Sequence, residues 1–129
     1  MDKILLAEDT LITMADGIQK HIEDIYIGER VSSNDGYAHI VTKLAMAATN
    51  KICVLTTEKG KILRFAEGSK IESNDTIVYE KMNLDKNEIL TVDGTEKISD
   101  MHTQEYKGRV YAIYLNKDAY IIANDFIVK

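Results

Sequence analysis

Short apolar runs rich in β-branched residues recur along the chain, parted by the turn dipeptides Asp16-Gly17, Asp35-Gly36, Lys59-Gly60 and Asp93-Gly94. That spacing predicts an all-β domain of short strands and hairpins. Ile52 to Phe65 sets two apolar runs around Glu58-Lys59-Gly60, and Val110 to Ala123 repeats the design around Asn116-Lys117-Asp118, so both read as hairpins. From Gly17 to Val31 the isoleucines at 18, 22 and 25 have helical spacing while Ile25, Ile27 and Val31 suggest a strand, which predicts a strand entering a short turn. Ala45 to Asn50, "AMAATN", reads as a helical turn on its alanines and as part of a long bent strand on its neighbours. Proline is absent and no shift of composition marks a linker, so the expectation is one domain over residues 1–129.

A repeat runs beneath this pattern. Ile25-x-x-Gly28-Glu29-x-Val31, then Asp35-Gly36 and Val41-Thr42-Lys43-Leu44, is echoed by Leu84-x-x-Asn87-Glu88-x-Leu90, Asp93-Gly94 and Ile98-Ser99-Asp100-Met101. Two halves on one plan, roughly Thr10 to Ala48 and Ile62 to Tyr106, suggest a supersecondary unit copied and paired with itself across a near two-fold axis. Hairpin turn chemistry alone recreates part of the same pattern.

Composition narrows the classes of function. A chain of 129 residues with 45% hydrophobic content can bury a core without disulfides or metal. Its net charge of −5 argues against binding a phosphate backbone, which needs clustered Lys and Arg. Cys53 is alone, so no internal bridge forms, and it reads as a small core residue. The apolar run Ile4 to Ala7 is far too short for a secretory or membrane segment, so the expectation is a cytoplasmic chain without membrane contact. His21, His39 and His102 are far apart, with no Cys or His at ligand spacing, so no metal or cofactor is expected. The pairs Glu8-Asp9 and Glu23-Asp24 point to opposite faces if extended, which makes them poor acid–base pairs and better turn formers. Tyr106, Tyr111, Tyr114 and Tyr120 read as core packing with wet hydroxyls, Tyr111 and Tyr114 lying on opposite faces.

The two ends of the chain carry a resemblance. Leu5, Thr10, Leu11, Ile12, Asp16-Gly17 and the string Ile22 to Val31 are similar to the opening block of the Hint domain, the self-processing module of hedgehog proteins and inteins. Val110-Tyr111-Ala112-Ile113 and Tyr120 to Lys129 are similar to its closing block. The resemblance implies a flattened, pseudo-two-fold all-β fold from a duplicated unit, with its termini close together. It also implies where chemistry would sit. The family's first residue, a Cys or Ser, attacks the preceding carbonyl, and Leu5 stands there, offering no nucleophile. The family's second-block Thr and His correspond to Phe65 and Gly68, neither able to donate a proton. The Asp that inteins often carry is Ala112, and the penultimate His is Lys129.

The resemblance therefore implies a degenerate Hint domain, not an enzyme, that serves as a binding or scaffolding module with an unspecified protein partner. The alternatives are an active self-processing domain using other residues and a small-ligand binder reusing the old cleft. Only Met1 to Ile4 precede Leu5 and nothing follows Lys129, from which no attached protein to splice is expected. Leu5 and Phe65 are expected to meet as an apolar plug, with Gly68 leaving room for the ring.

Overall fold

A computed structural model describes residues 3–73, 76–78 and 88–129. The strands are β1 (Leu6–Ala7), β2 (Leu11–Thr13), β3 (Gln19–His21), β4 (Arg30–Ser32), β5 (Ala38–Thr57), β6 (Ile62–Ala66), β7 (Ile71–Ser73), β8 (Thr76–Val78), β9 (Glu88–Thr91), β10 (Gly94–Leu115), β11 (Ile121–Ala123) and β12 (Phe126–Val128). A 3₁₀ turn at Ile22–Asp24 follows β3, in keeping with the expected strand entering a short turn. Among the described residues no helix is long and apolar enough to cross a membrane.

Two long antiparallel strands, β5 and β10, form the spine. Their ladder runs from Val41 opposite Leu115 to Thr57 opposite Ile98, interrupted by irregularities such as the bulge between Glu105 and Gly108. "AMAATN" lies within β5, so cross-strand pairing overrides the helical preference of its alanines. Each long strand is entered through a short hairpin, β4–β5 at Asp35-Gly36 and β9–β10 at Asp93-Gly94, with both glycines at positive φ. The ladder thus begins shortly after one Asp-Gly turn and ends shortly after the other, the arrangement that a duplicated, pseudo-two-fold unit requires. Of the repeated string, Leu84 to Asn87 lie outside the described residues, while Glu88 to Leu90 fall in β9.

The Ile52–Phe65 hairpin forms as expected, β5 against β6 from Thr56 opposite Ile62 to Ile52 opposite Ala66. The expected Val110–Ala123 hairpin does not. This end of β10 is taken by β5 and β1, while Asn116 donates its backbone N–H to Ile40 and accepts the Ile40 N–H on Oδ1, turning the chain away. β11 instead pairs with β12 and β2. The true hairpin is β11–β12, closed by Asn124-Asp125, whose φ values of 47° and 67° are those of a type I′ turn.

The inner faces meet in one large cluster that includes Leu6, Ile12, Leu55, Leu63, Phe65 and Phe126. At its margin Glu96 is 3% exposed. Its Oε2 accepts from Lys61 Nζ at 2.6 Å and from Thr91 Oγ1 at 2.8 Å, and Lys61 also meets Asp93 at 2.8 Å. Burial pushes the Glu96 carboxyl up, but hydrogen bonds from Lys61, Thr57 and Thr91 outweigh it and bring it down to about 2 from 4.5. A depressed carboxylate contributes stability that is complete above its unfolded value and is lost as pH falls towards the folded one. The urea midpoint is therefore expected to fall between pH 4.5 and pH 2, and less steeply in Glu96→Gln than in the parent; equal slopes would contradict this role for Glu96.

Candidate functional site

β1 is a two-residue strand that lies between β6 and β10. Leu6 lies opposite Phe65 on β6 and opposite Tyr111 on β10. Facing residues share one side of a sheet and successive residues alternate, so Leu6 and Phe65 point into the main core while Leu5 points the other way. There Leu5, half-buried, packs on a second, smaller cluster of Ile52, Val54, Ala66 and Val110. The carbonyl of Leu5 accepts the Ala66 N–H at 2.8 Å. The only hydroxyl among the first ten residues, on Thr10, is buried and donates to the Ala7 carbonyl at 2.7 Å.

The expected plug of Leu5 against Phe65 is thus corrected: the apolar packing around Leu5 exists, but the residue opposite it in the sheet is Ala66, and Phe65 is a core residue on the far face. Gly68 makes no room for a ring. It is exposed in the turn after β6, with open space where a Cβ would stand, and its φ of 85° accounts for the glycine. Ala112 is fully buried, two residues along β10 from Val110 and on the same face.

Lys129 lies beyond β12 and exchanges two backbone hydrogen bonds with Glu72, each 3.0 Å. Its ammonium meets Asp118 at 2.9 Å and Glu72 at 3.1 Å, and sits 4.7 Å from the Tyr120 ring centroid. The Asp118 hydrogen bond raises the Lys129 ammonium above its ordinary value. Burial lowers Lys3, which feels the charges of Asp118, Lys129 and Glu72, so the two ends of the chain share one electrostatic neighbourhood. The stretch from Ala66 to Glu72 ties these places together, its first residue bonding Leu5 and its last pairing with Lys129. No residue from Lys61 to Ser73 is a histidine, so this strap carries no imidazole whichever of its side chains faces the junction.

Tyr106 is the residue of this region that sequence reasoning treated only as packing. It covers the Leu5 cluster, its hydroxyl accepts the Glu8 N–H at 3.1 Å and donates to the Arg109 carbonyl at 2.9 Å, and Glu8 Oε1 accepts the Arg109 N–H at 3.0 Å. The guanidinium of Arg64 lies 5.6 Å from its ring centroid. The ring folds back over the β10 bulge, where a Cβ on Gly108 would stand 2.9 Å from it, so the pair Tyr106-x-Gly108 was the signal available in the sequence.

A two-fold pair of long bent strands, with short β1 tucked between β6 and β10 and both ends held on one strap, is the Hint fold of inteins and intein-like domains. Among solved structures the chain is similar to the gp41-1 intein, with a TM-score of 0.78 at 19% identity over 97% of both chains. It is also similar to the intein-like domain from Clostridium thermocellum, with a TM-score of 0.76 at 16% identity over 99% of this chain and 97% of that one. A DnaB intein from Synechocystis sp. PCC 6803 gives 0.77 at 17% identity over 97% and 96%. By sequence, neither a family model nor a curated protein matches the chain.

Proposed function

We propose that this chain is a Hint-fold domain without self-processing chemistry that serves as a protein-binding or scaffolding module. The observation that carries this is the setting of Leu5. Where the resemblance puts the nucleophile, a hydrocarbon side chain packs among Ile52, Val54, Ala66 and Val110 beneath Tyr106. An acyl shift needs a side-chain nucleophile next to the scissile carbonyl, and of the hydroxyls near Leu5 that of Thr10 is committed to the Ala7 carbonyl and that of Tyr106 to the Arg109 carbonyl. Lys129, the counterpart of the penultimate histidine, is held by two carboxylates as a cation and cannot accept a proton as a neutral imidazole does. Apolar side chains that a partner could cover are available at the surface in Ile18, Tyr26, Ile27 and Tyr37, each more than three-fifths exposed.

The test is a fusion with a carrier protein placed before Met1, incubated for days with dithiothreitol or hydroxylamine and followed by intact mass. The expected mass is unchanged. Release of the carrier, or a hydroxamate-capped carrier, would show an activated acyl bond and end this proposal.

A further inference from the structure

The three histidines differ in how they meet carboxylates. His39 Nε2 lies 2.7 Å from Asp35 Oδ2, and His102 Nδ1 lies 2.7 Å from Asp100 Oδ2, both hydrogen-bond distances. His21 Nδ1 instead stands 3.5 Å from Asp9 Oδ1 and 3.9 Å from Glu23 Oε2. These separations are long for a hydrogen bond. They approach the roughly 3.3 Å between two ligand atoms that each sit about 2.0–2.1 Å from a tetrahedral zinc ion. One ligand atom from each of the three residues falls within 4.8 Å of the others.

We propose that Asp9, His21 and Glu23 form a divalent-metal site, suited to zinc with water completing the shell. One imidazole nitrogen and two carboxylate oxygens are a mixed donor set, and the imidazole favours zinc over the calcium and magnesium that an all-oxygen cluster would attract. The fold, more than local sequence, builds the set. Asp9 sits in the turn between β1 and β2 with φ at 66°, while His21 ends β3 opposite Leu11 and Glu23 belongs to the 3₁₀ turn. The Ile22 N–H bonds the Thr10 carbonyl at 2.8 Å and fixes the two segments against each other. The Asp9 N–H bonds Glu23 Oε1 at 2.9 Å, which orients that carboxylate and leaves Oε2 turned to His21, the role an outer-shell donor plays around a metal ligand. Asp9 and His21 are exposed enough for an ion to enter. Only His21-x-Glu23 is visible as a ligand spacing in the sequence; Asp9 joins through the β2–β3 pairing. The site is separate from Leu5 and stands whether or not the chain self-processes.

The test is isothermal titration of the metal-free full chain with zinc chloride, paired with backbone amide shifts. One zinc ion per chain is expected, with shifts centred on Asp9, His21 and Glu23. His21→Ala should weaken binding at least about tenfold, on the scale that loss of metal-site contacts carries. Glu23→Gln should weaken it too while keeping an acceptor for the Asp9 N–H, so a loss there is not a loss of fold. His102→Ala should leave binding unchanged. No saturable binding, binding indifferent to His21→Ala and Glu23→Gln, or binding removed by His102→Ala would overturn the proposal.

Discussion

Phe65→Ala is expected to lower the free energy of unfolding by about 3–5 kcal/mol, the cost of emptying a buried aromatic site. The ring is fully buried in the main cluster beside Leu6, and its neighbours on β1 and β5, Leu6 and Cys53, are held in register by ladders that leave little freedom to collapse into the void. Leu5→Cys should cost only about 1 kcal/mol, because Leu5 is half-buried and the exchange removes little apolar surface from a small cluster. The contrast is the point of the experiment. Had the two side chains formed one plug, Leu5→Cys would open a cavity in the main core and cost about 2–3 kcal/mol. Urea unfolding decides it: a loss of that size for Leu5→Cys would place Leu5 in the main core, against the alternation of β1.

Asn124→Ala should cost about 2–4 kcal/mol, from two sources. The side chain accepts the Leu11 N–H on Oδ1 at 2.7 Å and donates from Nδ2 to the Ile62 carbonyl at 3.2 Å, so removing it strands partners on β2 and at the start of β6. The residue also has φ at 47°, which asparagine tolerates and alanine resists by about 1–2 kcal/mol. Asn124→Gly separates the two, since glycine accepts the left-handed backbone but restores neither hydrogen bond. Its loss of stability is expected to fall between those of the parent and the alanine variant. If alanine and glycine both leave the unfolding midpoint unchanged, the bridge from β11 to β2 and β6 contributes nothing.

The same residue shows why some of the fold was legible and some was not. Turns written with glycine, Asp35-Gly36 and Asp93-Gly94, announce themselves because the left-handed backbone favours glycine. Asn124-Asp125 makes a type I′ turn with no glycine at all, a weaker local signal than a glycine pair. Alternation from Val110 to Ala123 marks strand character correctly but cannot name the partner, and β5, remote in sequence, competes successfully for β10. The Leu5 region failed for a related reason. Which of Leu5 and Leu6 faces Phe65 depends on the register of β1 against β6, a one-residue matter that reverses every side chain and that no local pattern encodes. The opening and closing blocks, by contrast, were readable because their residues occupy turns and strand positions that are set locally. In the sequence Asp9 and Glu23 belong to the separate pairs Glu8-Asp9 and Glu23-Asp24, and only the β2–β3 pairing brings Asp9 to His21 and Glu23.

The wedging of β1 between β6 and β10 also sets the order in which the chain can be assembled. Leu6 pairs with Tyr111, and Ile12 on β2 with Ala123 on β11, so the strands at one end of the domain's sequence have partners at the other. The β5–β6 hairpin and the β4–β5 pair close locally and early, whereas closing loops that span nearly the whole chain is entropically costly and slow. Until β10 to β12 are in place, Ile4, Leu6 and Ile12 have only the part of their core that β5 and β6 supply, and they stay more exposed to other chains. The decisive step in folding is therefore the capture of β1 and β2 by strands far along the sequence, and the interval before that capture is when the domain is most vulnerable to association with other chains.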